Sequence, residues 1–170
     1  MTTASYRRDH DHHAHHDTRP LIDRVAADWG NALWLVGRVL IGLIFVQSGF
    51  GKLTNLVGFA DMLERAGVPF AFVLAPFGAV AEFAGGIAIV LGIATRYAAL
   101  VMVGFVIVAT LISHRFWAVP ADQQPMQMVQ FAKNVAIVGG FLMVFVTGGG
   151  RYALDRWLHH PDREPTNPGS

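Results

Sequence analysis

Cysteine is absent from the 170 residues. The chain therefore has no disulfide, no thiolate metal ligand and no cysteine relay of its own, so any electrons it handles must ride on a cofactor, a substrate or a partner. Charge is scarce too. Asp, Glu, Lys and Arg make up 15% of the residues and nearly cancel, to a net charge of +1. The basic residues are scattered rather than gathered into the patch that phosphate binding needs, which excludes nucleic acid as a partner. Also missing is the wet face of a water-soluble helix: the last three long apolar runs carry no polar stripe repeating at 3.6 residues. No nucleotide loop, zinc-protease helix or serine-hydrolase elbow occurs.

What is present is apolar surface, 53% of the residues, more than a soluble domain of this length can hide. It is gathered into long runs. Ala71 to Ala94 contains one charge, Glu82, and Tyr97 to Ser113 contains none; such runs approach or meet the length of a membrane-crossing helix. Two more, at about 32–51 and about 129–147, hold Arg38 and Lys133. The expected fold is all-α, an integral membrane four-helix bundle in the lipid bilayer, with spans at about 32–51, 73–93, 97–113 and 129–147.

The spans divide the chain into a tail at 1–31, a membrane domain at 32–150 and a second tail at 151–170. Residues 1–20 are poor in apolar side chains and rich in charge and His, which predicts disorder. The run from Asp9 to Asp17 has imidazoles and carboxylates in no fixed spacing, so no defined metal site is expected. Leu21 to Asn31 predicts a short amphipathic approach helix lying along the membrane. No cleavable leader is expected, because the first apolar run begins well inside the chain.

Between the first two spans, Thr54 or Asn55 can cap a short interfacial helix that presents Leu56, Phe59, Met62 and Leu63 and ends at Gly67. A short loop around Gly92–Arg96 joins spans two and three into a hairpin. The third loop, His114 to Met128, is expected to be irregular, and Gly148-Gly149-Gly150 ends the fourth helix. Counting Lys and Arg near span ends sets Arg7, Arg8, Arg19, Arg24, Arg96, Arg151, Arg156 and Arg163 against Lys52, Arg65 and Arg115. That bias predicts both termini on the cytoplasmic side.

The candidate chemistry gathers at the embedded charges. An uncompensated charge in hydrocarbon costs about 2.5–3.5 kcal/mol even on the lenient insertion scale, so each should find a partner. Arg38 and Lys52 share a helix face, and an Arg38–Glu82 ion pair between spans one and two is the expected match. Lys52, His114, Lys133 and Asn134 fall toward the opposite side, where they would outline a polar pocket beneath a loop bearing Trp117. Such a pocket could take a quinone head group, a small anion such as thiosulfate, or ordered water. Glu82, His114 and Lys133 are the candidate catalytic groups, with Arg38, Lys52, Lys133, Asn134 and Trp117 as candidate substrate contacts. The bland reading stands beside it: buried pairs fix helix register, and lysines near helix ends snorkel.

These residues resemble the DoxX family of small four-helix membrane proteins. The resemblance rests on Gly37-Arg38, Ile44-Phe45 and Gly49-Phe50-Gly51-Lys52-Leu53, then Gly67-Val68-Pro69, Glu82-Phe83-Ala84-Gly85-Gly86 and Leu91 to Arg96. It continues through His114 to Trp117, Lys133-Asn134, Gly139-Gly140 and Gly148 to Arg151 with Leu154-Asp155. It implies a multi-pass protein of the bacterial cytoplasmic membrane, in a family with links to quinone-linked membrane oxidoreductases. Three functions follow in order of support: a quinone-linked oxidoreductase or a subunit of a membrane redox complex, a non-catalytic scaffold docking redox enzymes or other membrane proteins, and a small-solute transporter. Quinone is the one cofactor suggested. Small residues on the spans permit a homo-oligomer without requiring one.

Overall fold

The computed structural model describes residues 20–159. They form α1 (Leu21–Thr54), α2 (Leu56–Arg65), α3 (Ala71–Leu91), α4 (Thr95–Ser113), a 3₁₀ turn at Phe116–Ala118, α5 (Gln124–Thr147) and α6 (Leu154–His159), with no strand among the described residues. Contacts divide the chain at Gly30. In the first unit the described stretch is helical and leaves Leu21, Ile22, Val25 and Trp29 exposed. The approach segment is not a separate helix, because α1 runs unbroken from Leu21 to Thr54.

The second unit holds the membrane bundle. Among the described residues four helical stretches are long and apolar enough to cross a bilayer: Asp28–Thr54, Ala71–Leu91, Thr95–Ala118 and Gln124–Thr147. Their large side chains point outward more than inward. Phe77, Val80, Val101, Val108, Val129 and Val146 are all more than half exposed, an arrangement that water would penalise and acyl chains do not. The core is correspondingly small, with Phe45, Ile89, Met102, Val106, Phe141 and Val144 buried and the Phe45 and Phe141 rings 5.3 Å apart.

Close backbone approach replaces the missing hydrophobic drive between helices. Antiparallel α1 and α3 meet where a Cβ on Gly49 would lie 2.6 Å from the Phe83 nitrogen, and one on Gly86 would lie 2.7 Å from the Val46 nitrogen. The sulfur of Met102 on α4 fills the space left by Gly85.

α2 packs along the first half of α3, with Ala60 and Leu63 buried beside Ala71 and Ala75 and the Phe59 ring over Gly78. Its cap is as predicted: Asn55 Oδ1 accepts from the Gly58 nitrogen at 3.1 Å. The third loop is shorter than expected, because α5 already begins at Gln124. Pro125 sits in its first turn, where the missing N–H leaves no helical bond unmade, so it starts the helix instead of delaying it. Gly148 and Gly150 follow α5 at φ of 75° and 73°, positive values that glycine adopts without steric cost.

Replacing Gly49 by Leu should force α1 and α3 apart and destabilise the bundle by about 1–3 kcal/mol, as overpacking does. Gly139→Ala, with open space around it, should be nearly neutral. Thermal unfolding of the purified proteins in detergent checks both.

Candidate functional site

The ionisable residues settle into separate clusters at the two ends of the bundle. At one end Arg38, 1% exposed, lies where α3 and α5 finish. The guanidinium collects carbonyls there: Nη2 donates at 3.4 Å to Val90, whose oxygen lacks an intrahelical donor at the end of α3, and at 3.2 Å to Tyr152, while Nη1 donates to Gly149, both of them in the turn after α5. A cation at two helix C-termini is also favoured by their dipoles. Trp34 Nε1 donates to the Gly148 carbonyl at 3.1 Å.

Asp155 completes this knot. Its carboxylate accepts from the Ala94 nitrogen at 2.6 Å, and from the Thr95 nitrogen and Thr95 Oγ1 at 2.9 Å each. It thus caps α4 from α6, more than fifty residues away in sequence. The Asp155 nitrogen donates to the Gly92 carbonyl at 3.0 Å, and the carboxylate attracts Arg38.

The expected Arg38–Glu82 pair does not form; Glu82 is held by Lys52. The register explains it. Gly42 faces Val90 and Val46 faces Gly86, so continuing along the antiparallel helices puts Glu82 opposite Phe50. That is twelve residues, about 18 Å, from Arg38 but only two from Lys52. The Glu82 side chain is 4% exposed and that of Lys52 27%; the ammonium also lies 5.0 Å from the centroid of the Phe59 ring, a cation–π contact that ties α2 to the pair.

Beyond the pair, at the far end of α4, His114 Nδ1 and Gln127 Oε1 are 2.8 Å apart. With the amide oxygen accepting, Nδ1 carries the proton and Nε2 is left free of partners among the described residues. Arg115 donates to the Ala66 carbonyl at 2.9 Å. Around them opens a groove of about 410 Å³, walled by Met62 of α2 and Ala66 just after it, Ile112 and Ser113 of α4, His114, Arg115, Ala118 and Val119 after α4, and Gln127 of α5.

The single pocket expected from the sequence is thus dispersed. His114 lies in the groove. Asn134 donates to Thr110 Oγ1 at 2.9 Å, one turn back on α4. Lys52 is taken by Glu82. Trp117 is 54% exposed and stacks edge-on against Phe116 and Phe131 rather than lining the groove. Lys133 is exposed, with no partner among the described residues. Helical spacing placed these residues at one level but not on one face. Gln127, Arg115 and Asp155 were missed as site partners; the usable signal for Asp155 was a carboxylate shortly after a glycine-terminated helix. The His-rich run at 9–17 and residues 160–170 lie outside the described residues.

The DoxX family model matches residues 33–115. The inner membrane protein YqjF of Escherichia coli is 38% identical over 125 residues, covering 74% of this chain and 91% of that protein. The chain belongs to the DoxX family. Inner membrane protein YphA of Escherichia coli is 34% identical over 132 residues, 76% of this chain and 94% of its own. An uncharacterized membrane protein of Mycobacterium tuberculosis, Rv3486, is 29% identical over 131 residues, 71% and 78% of the two chains. No solved structure matches. This DoxX protein is accordingly a multi-pass protein of the cell membrane, with the sequence resemblance borne out.

Two stability measurements test the clusters. Lys52→Met, which strands the Glu82 carboxylate, should cost about 3 kcal/mol, and adding Glu82→Gln should restore most of it. Asp155→Ala should cost about 1–2 kcal/mol through the lost α4 cap. Denaturant titration in detergent micelles reads both.

Proposed function

We propose that this DoxX protein is a quinone-binding subunit of a membrane redox complex, with the head group seated in the groove between α2 and the end of α4. The observation that carries the reading is the groove's chemistry. Met62, Ala66, Ile112 and Val119 offer apolar walls, while His114 brings a ring nitrogen not used in its bond to Gln127. A quinone ring flanked by carbonyl oxygens asks for that combination, and a volume of about 410 Å³ lies within the usual range for small-ligand sites. Ser113 and Arg115 add donors at the rim.

Within this reading His114 hydrogen-bonds a quinone oxygen and can relay a proton to it. Gln127 fixes the imidazole tautomer. The chain has no thiol to pass electrons, so the electron donor is a partner redox enzyme. With both termini cytoplasmic, as the basic-residue bias argues, the groove opens toward the outer face. Glu82, closed by Lys52 and Phe59, is assigned a structural role until the ion pair opens.

A scaffold without chemistry is the second reading. It is favoured by Arg38 and Glu82, the two most buried charges, both being spent on helix-to-helix bonds.

Titration of the purified protein with a short-chain quinone analogue separates the two. We expect saturable binding that weakens about tenfold in His114→Ala, the worth of one good hydrogen bond, and is unchanged in Lys133→Ala. Equal affinity of the His114→Ala and parent proteins would remove the groove from the function.

A further inference from the structure

Among the four spans α5 is the least covered: 11% of its apolar window is buried, against 22–28% for the others. Its outward seam runs Val129, Ala132, Ala136, Gly139, Met143 and Val146, at the alternating three- and four-residue spacing of a helix-packing face, with Lys133 beside Ala132, and all seven are exposed. Nothing lies near Gly139, so another backbone can come close there. The face is not simply apolar, because Lys133 stands on it without a partner among the described residues.

The depth of Lys133 selects the occupant. It lies nine residues into α5, about 13 Å from the helix start. The outward side chains between it and that end, Met126, Met128 and Val129, are 71%, 52% and 68% exposed. They form an apolar collar about two turns deep, and to reach headgroups the lysine must climb past it. A second copy is a poor match. Two-fold packing of α5 on α5 in one membrane would set the Lys133 ammonium groups at the same depth, like charge against like.

We propose that the α5 seam centred on Lys133 and Ala136 docks a transmembrane helix of a different protein, one that carries an Asp or Glu at the depth of Lys133. The carboxylate meets the ammonium in a medium where neither has water, and the small residues on either side let the two helices close around the pair. The inference does not rest on the quinone reading, since the seam lies away from His114 and the groove.

A photo-crosslinking side chain at Ala136 in the full-length protein, in its native membranes, tests this. The expected result is one adduct whose crosslinked segment, identified by mass spectrometry, is an apolar span containing Asp or Glu. Its yield should fall about tenfold in Lys133→Ala, persist in Lys133→Arg, and return for Lys133→Glu when the partner's acid is changed to Lys. Adducts to lipid alone, adducts to a second copy, or a partner adduct indifferent to Lys133→Ala would each overturn the proposal. Because Lys133 is exposed, its variants should keep the parent's unfolding temperature and quinone-analogue affinity, so failure here and failure of the groove assignment read out separately.

Discussion

A charge inside lipid needs a counterpart, and the arrangement of this bundle follows from how Arg38 and Glu82 find theirs within the chain. Arg38 is the clearest instance. Its guanidinium is sealed from solvent and answered by carbonyls from α3 and from the turn after α5. The Val90 oxygen is unpaired because α3 ends there, and the Gly149 and Tyr152 oxygens belong to the turn that follows α5, so one side chain on α1 joins the end of α3 to the chain leaving α5. Asp155 does the complementary work for the start of α4, whose amides need an acceptor. Opposite charges thus stand at opposite kinds of helix end, as the dipoles prefer.

The other buried pair has a different geometry and a different consequence. Lys52 is near the end of α1, just before the chain turns at Asn55 into α2. Its bond to Glu82 and its position beside Phe59 connect three elements at one point. Since Met62, farther along α2, and Ala66 at its end wall the groove around His114, the groove's shape depends on an ion pair that does not line it.

Much of the architecture could be read from residues alone. Span length and apolarity placed α3 and α4 within about two residues, and Asn55, Gly92 and Gly148 marked breaks through plain backbone chemistry. The site was less legible. Helical spacing tells which residues share a face, but choosing between Arg38 and Lys52 as partner of Glu82 needs the offset between two helices, which is set by where Gly42, Gly49 and Gly86 let backbones touch. Lys133 illustrates the same limit: its neighbour Asn134 turns inward to Thr110 while the lysine turns outward, a rotation of about 100° that no count of residues into a span reveals.

The cap supplied by Asp155 also bears on the order in which the molecule is made. The amides at the head of α4 are synthesised some sixty residues before the carboxylate that satisfies them, and α5 must enter the bilayer in between. Until ribosomal synthesis passes that point, the α3–α4 hairpin carries bare amides and Arg38 lacks two of its three carbonyls. The hairpin therefore gains its full set of contacts only once the segment carrying Asp155 has been made.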